Sequence, residues 1–294
     1  MTIHYYEDDN IASIYYRLIR DIQHGGELEA KTRELVNTQI CLTDPRYSIL
    51  PYKKNWQWAF QELLDRMSFT YGFKRLCNPG RAFIYRSNWK KKLDKEGGRF
   101  HYSYGELFKD QINGALKELK SRKATREAVM SLWTPKYLLR QADFNRRPCT
   151  LTFHFIIREK KLLCFVNMRS NDIINLLPYD IFHHTFIQRW IAYQLGIECG
   201  PYYHSATHSY YPKKRESKGR QYFENFHKKF ENELKEKNYR EHQPLEFGEH
   251  LDEDFKVIYQ NYNEIPEIYR KLQSPFMKVM VGHIINPSNC NYLI

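Results

Sequence analysis

The chain has 294 residues, 42% of them hydrophobic and 27% charged, which is enough apolar material for one large core and excludes a disordered chain. No apolar run reaches the roughly 18 to 20 residues of a membrane span, and the opening MTIHYYEDDN lacks the basic-then-apolar order of a leader, so no membrane association and a cytoplasmic location are expected. Lys and Arg exceed Asp and Glu by 46 − 34 = 12, a surplus that favours anionic partners such as nucleotides, polyanionic cofactors or nucleic acid.

Residues Trp56 to Met67, WQWAFQELLDRM, place Phe60, Leu63, Leu64 and Met67 three and four apart and predict an amphipathic helix. Phe108 to Leu119 predicts a second. Leu151 to Arg158 and Lys161 to Met168 are β-rich runs split by Glu159-Lys160, the pattern of two antiparallel strands around a tight turn. Tyr179 to Leu195 carries Phe182, Phe186, Trp190 and Tyr193 at helical spacing before Gly196, a C-cap, and predicts a central buried helix. Residues 213–241 mix both charge signs at helical intervals. That pattern reads as a solvated, ion-paired helix, and its acidic residues dilute the basic stripe that nucleic acid would need. No repeat or linker divides the chain, so a single domain over residues 1–294 is expected. The six cysteines, at 41, 77, 149, 164, 199 and 290, have neither a CxxC pair nor the density of a disulfide scaffold; they read as thiols, and no metal site is predicted.

The chemistry concentrates in Arg147-Pro148-Cys149-Thr150, then Val166-Asn167-Met168-Arg169-Ser170-Asn171-Asp172, then Leu177-Pro178-Tyr179-Asp180. This puts a thiol at a strand start. If the two strands pair, Arg169 falls in the same neighbourhood, where a guanidinium favours the thiolate and can fork onto a phosphate. The expectation is sulfur attack on an anionic substrate.

These motifs resemble the thymidylate synthase superfamily, whose nucleophile motif is PC followed by His and whose later motif is RSxDxxLGxPFN. Thr207-His208-Ser209-Tyr210 echoes the end of the family's HxGDxHxY run, with Ser205-Ala206 in place of its Gly-Asp. Gln61-Glu62-Leu63-Leu64, Tyr104-Gly105 and the stretch from Thr125-Arg126 to Trp133-Thr134-Pro135 fall in family order, so the resemblance covers residues 30–212. It implies an α/β (α+β) fold, a single domain with a large mixed sheet at a homodimer interface, a pyrimidine nucleoside monophosphate as substrate and 5,10-methylenetetrahydrofolate as cosubstrate.

The departures point to a subtype. Thr150 stands where the synthases have His, and VNMRSND resembles the viral deoxycytidylate hydroxymethylases of this superfamily. Asp180 occupies the place of the Asn whose amide reads uracil. A carboxyl group there can accept from the N4 amino group of cytosine and, if protonated, donate to N3, so it argues for a cytosine base. Protonation needs an enclosed apolar site, which Tyr179, Ile181 and Phe182 would supply if they face the same pocket. The alternative is that Asp180 is merely the N-cap of the following helix.

The resemblance further implies that Cys149 adds to C6 of the pyrimidine, that the one-carbon unit is joined at C5, and that water adds to the resulting exocyclic methylene, leaving CH2OH. Glu62 is the expected general acid/base; the bland alternative is an exposed helix glutamate. Arg169, Ser170, Arg33 and Arg126 match phosphate-binding positions, Arg126 acting across the dimer, while Glu127 replaces a second arginine beside it. His208 and Tyr210 match the pair that holds the sugar 3′-hydroxyl. Asp172 matches the folate-contacting aspartate, Trp89 a folate-contacting tryptophan, and Leu176 replaces a glycine of that pocket. The reading is a folate-dependent hydroxymethylase of dCMP or CMP; the alternatives are a thymidylate synthase, a uridylate hydroxymethylase, or a non-catalytic homologue that binds nucleotides or nucleic acid.

Overall fold

The computed structural model describes residues 3–29, 32–50, 56–73, 104–138, 147–212, 246–261 and 265–285. Trp89, Cys77, Cys290 and the charged segment 213–241 lie outside them. The chain divides into two compact units, one of Met1–Tyr52, Ala115–Trp133 and Cys149–Pro244, the other of Lys53–Gly114, Thr134–Pro148 and Leu245–Ile294.

The first unit is built on a mixed sheet of eight strands. They are β1 (His4–Asp8), β2 (Glu27–Glu29), β3 (Thr32–Leu42), β4 (Val129–Ser131), β5 (Thr150–Arg158), β6 (Lys161–Met168), β7 (Asn171–Asp172) and β8 (Glu198–Pro212). The order is β1-β3-β8-β6-β5-β4, with β2 paired to β3 and β7 to β8. β1 runs parallel to β3, and β6 and β7 parallel to β8; the remaining pairs are antiparallel. The predicted hairpin is present as β5 and β6. Glu159 and Lys160 turn it at φ 51° and 61°, two left-handed residues in succession, which is what a two-residue hairpin matched to strand twist demands.

Residues directly opposite one another share a face, so the register sorts the sheet. Tyr6, Ile40, Leu42, Tyr202, His204, Cys164, Val166, Phe153, Phe155 and Met130 are buried. The helix Ile11–Gly25 packs against β1 and β3, and the helix Leu177–Leu195 against β6 and β8. On the other face the register lines up Tyr5, Gln39 and Ser205 with Asn167, and Cys41 and Tyr203 with Phe165 and His154. There Phe165 stacks on Tyr203 at 4.6 Å between ring centroids, and Tyr5 and Val129 are exposed.

The helix Leu177–Leu195 begins two residues earlier than the sequence pattern suggests, because Pro178 needs no N–H partner in a first turn. It ends at Gly196, which takes φ 63° and returns its N–H to the last carbonyls. Apolar residues surround it, and its buried polar groups are tied down: the Gln188 side-chain amide donates to the carbonyls of Leu162, Gly200 and Pro201 at 2.9, 2.8 and 3.1 Å. This is the central helix expected from sequence.

In the second unit the helix Trp56–Met67 has the predicted limits. Phe60 meets the ring of Phe276 edge-on, and the Tyr259 hydroxyl donates to the Leu64 carbonyl at 2.7 Å. The helix predicted over 108–119 spans Tyr104–Ser121, with a break in helical geometry at Lys109. Gly105 is there for close approach, since a Cβ at that position would lie 2.3 Å from the Asp65 carbonyl oxygen. Among the described residues no helix is long and apolar enough to cross a membrane.

Candidate active site

Cys149 immediately precedes β5, and its carbonyl accepts the Arg169 N–H at 2.9 Å where β6 ends, so hairpin pairing places the thiol and the arginine together as the sequence suggested. The Arg169 guanidinium also lies 5.7 Å from the ring centre of Trp133. Burial pushes the Cys149 thiol up, Arg169 pulls it down, and the carboxylates of Asp180 and Asp172 push it up again; the net direction is upward. Arg169 favours the thiolate as expected, but desolvation outweighs its influence. The same groups surround Tyr210, whose phenol is pushed up to about 12 by burial, Asp172 and Cys149. Cys41, Cys149, Cys164 and Cys199 are all thiols, and no metal-binding cluster occurs among the described residues.

Asp180 is not the N-cap. That position belongs to Leu176, and Asp180 lies in the first turn, where its N–H donates to the Leu176 carbonyl at 2.9 Å. Its carboxylate is held by Asn171, whose side-chain amide donates to Oδ2 at 3.1 Å. Asn171 is buried, and its own Oδ1 has no hydrogen-bond partner among the described residues. The neighbours expected to enclose Asp180 are buried, but Tyr179, Ile181 and Phe182 sit one and two residues away on a helix and point to other sides. The residues that share its face are Leu177, His183 and His184. Leu176, in place of a glycine, has φ −119°, a conformation any side chain accepts.

Thr150, where a histidine was expected from the resemblance, is buried with Oγ1 3.5 Å from His184 Nε2. His184 Nδ1 lies 3.0 Å from the Tyr202 hydroxyl, which in turn lies 3.0 Å from His204 Nδ1. Burial pushes the His204 imidazole down to about 4, so it is neutral at pH 7. Sequence reasoning missed this polar chain because its members are scattered over β5, β8 and the central helix.

His208 and Tyr210 stack, ring centroids 4.9 Å apart and 9° from parallel. Ser170 Oγ is 3.3 Å from His208 Nδ1, while His208 Nε2 is engaged by Glu34, a residue the sequence did not single out. Arg33, matched above to a phosphate-binding position, sits in β3, and its guanidinium donates to the carbonyls of Gln23 and Gly26 at 3.4 and 3.2 Å. Arg126 is exposed. Glu127 beside it is paired with Arg122, which also binds Glu118 at 2.6 Å, so its charge is met by a cation.

Asp172 accepts from the backbone N–H groups of Ile174 and Asn175 at 3.2 and 2.9 Å through Oδ1. Among the described residues its Oδ2 accepts only the Asn175 side-chain amide, at 2.7 Å, which leaves a lone pair for a further donor. An acceptor of this kind is what the N–H groups of a folate's pterin would require.

In the second unit Glu62 is no exposed helix glutamate. Its side chain is 12% exposed, and Oε1 accepts from Arg66 at 2.8 Å one turn on; Arg66 itself is 2% exposed and lies 4.1 Å over the ring of Tyr104. Glu62 Oε2 and the Nε and Nη1 atoms of Arg66 are buried without hydrogen-bond partners among the described residues.

Fold and site together define a mixed-sheet α/β protein with a cysteine-centred site. The thymidylate synthase family profile matches residues 13–273, and the chain belongs to that family. Similar proteins include the putative thymidylate synthase of Methanocaldococcus jannaschii, 27% identical over 204 residues that make up 67% of this chain and 85% of that protein. The thymidylate synthase of Bacillus licheniformis is 27% identical over 181 residues, 59% of this chain and 63% of that protein. Among solved structures, thermostable thymidylate synthase A from Bacillus subtilis superposes with a TM-score of 0.58 at 20% identity, covering 71% of this chain and 82% of that one, and shows the same fold. The family carries out folate-dependent one-carbon transfer to a pyrimidine nucleotide, with methylenetetrahydrofolate as cosubstrate.

Proposed function

We propose that the chain is a cytidylate 5-hydroxymethylase, acting on dCMP or CMP. The observation that carries this is Asp180: a carboxyl group stands at the base-reading position of the resemblance, tethered by Asn171 and close enough to the Cys149 thiol to shift it. Cytosine offers an amino donor at C4 and an acceptor at N3. A protonated carboxyl complements both, accepting from N4 at Oδ2 and donating from Oδ1.

In this reading Cys149 attacks C6, which makes C5 nucleophilic enough to take the one-carbon unit that methylenetetrahydrofolate supplies. Arg169 and Ser170 bind the phosphate, with Arg126 and Arg33 as further candidates. His208 and Tyr210 hold the sugar, and Asp172 receives the folate, Trp89 and Leu176 matching further folate-contact positions of the resemblance. C5 then gives up its proton with loss of tetrahydrofolate. Glu62 orients the water that adds to the exocyclic methylene and moves its proton, and expulsion of the Cys149 thiolate from C6 restores the ring. Residues 1–294 are read as a single thymidylate-synthase-like domain. The chain works as a homodimer through the sheet face that carries Tyr5, Phe165 and Tyr203, a face with aromatic side chains and no helix cover among the described residues.

The test is product mass. The protein is incubated with methylenetetrahydrofolate and, separately, dCMP, CMP, dUMP and UMP. A gain of CH2O on a cytidylate is expected. A gain of CH2 on dUMP identifies a thymidylate synthase instead, CH2O on a uridylate a uridylate hydroxymethylase, and no turnover a binding homologue.

A further inference from the structure

We propose that Glu34 reads the pentose and makes this a ribonucleotide site, so that CMP is preferred to dCMP. The inference rests on the reading above, in which His208 and Tyr210 hold the sugar. Glu34 lies directly opposite Tyr210 in the β3–β8 register, and directly opposed residues project from one face of a sheet. The carboxylate therefore stands among the sugar-holding rings, and its bond to His208 Nε2 fixes it there.

The hydrogen bonds fix which oxygen is open. Glu34 Oε2 accepts from His208 Nε2 and from the Thr32 hydroxyl, the latter at 3.0 Å. Oε1 accepts from no described residue. Ser170 Oγ lies 3.3 Å from His208 Nδ1, so contacts at both ring nitrogens hold ring and carboxylate as a unit. A carboxylate beside an anionic nucleotide is unfavourable unless it meets donors, and the only donors a pentose offers are its hydroxyls. Ribose brings two vicinal hydroxyls to the two lone pairs of Oε1, whereas deoxyribose brings one. A site built to bond a substrate hydroxyl discriminates against the analogue that lacks it, and Glu34, its side chain 12% exposed, has little water to replace a missing donor.

Calorimetric titration of the full chain with CMP, dCMP, UMP and dUMP tests this without requiring turnover. Wild type is expected to bind each ribonucleotide at least about tenfold more tightly than its deoxy counterpart. In Glu34→Gln and Glu34→Ala the ratio should fall within about threefold, through weaker ribonucleotide binding. Equal binding or a deoxy preference in wild type overturns the inference, as does a ratio that survives both substitutions. Binding of none of the four overturns both the inference and the functional reading. The two remain separable: CH2O added preferentially to dCMP removes the sugar inference alone, and a ribonucleotide preference with product only on a uridylate removes the base assignment alone.

Discussion

The two positions proposed to react, Cys149 and Glu62, sit in contrasting surroundings. Around Cys149 the charged groups come from a strand end, a turn and a first helical turn, and among the described residues Asp172 Oδ2 keeps an open valence, as does Glu34 Oε1 on β3. Around Glu62 the partner lies on the same helix, and the arginine is sealed beneath Tyr104. The first arrangement is suited to exchange bonds with a ligand; the second holds a charge in a fixed place. Substitutions should therefore split into two kinds, those that remove chemistry and those that unfold a unit.

The largest effect belongs to Cys149→Ser, which should lower product formation by at least about 10⁴-fold, measured by mass spectrometry, while thermal unfolding stays close to wild type. Product formed at an undiminished rate would rule out sulfur attack. Arg66→Met should sharpen the contrast from the other side, destabilising the protein by about 3 to 5 kcal/mol in denaturant unfolding, because the buried Glu62 carboxylate loses its cation. Glu62→Gln keeps the shape and should cost about 10² to 10⁴ in turnover with a smaller loss of stability. A variant that unfolds but turns over normally when folded would make Glu62 structural.

Asp180→Asn should move preference from cytidylates towards uridylates by about tenfold or more in relative kcat/KM; an unchanged preference would remove Asp180 from base recognition. The upward direction of the Cys149 thiol predicts slow alkylation at neutral pH, with the rate rising about tenfold per pH unit up to pH 9, followed by peptide mapping. Arg169→Gln removes the influence that lowers it and should slow the reaction further at each pH. The smallest effect is at the hairpin turn, where Lys160→Gly relieves a left-handed residue and should stabilise the first unit by about 0.5 to 1 kcal/mol in chemical denaturation.

The elements legible in the sequence are those stabilised by their own pattern. The helix Trp56–Met67 and the strands β5 and β6 follow from local periodicity and a turn, and Gly196 ends its helix because only a residue tolerant of positive φ closes that cap. The neighbourhood of Cys149 and Arg169 was also legible, since one hairpin joins them. Asn171 and Glu34 were not. Asn171 lies in the VNMRSND run as one more polar residue, and Glu34 reads as an ordinary polar strand residue until β3 is laid beside β8, 174 positions on in the case of His208.

By itself the sequence determined the hairpin, the central helix, the thiol at the strand start and the family the chain belongs to, because each is written in residues close together or in an ordered set of motifs. Tertiary structure decided which charges are paired and which valences stay open: Arg122 meeting Glu127, Asn171 gripping Asp180, Glu34 locking His208, and desolvation overriding Arg169 at Cys149. Burial and long-range pairing set those outcomes, and both depend on distances that exist only after the strands have assembled.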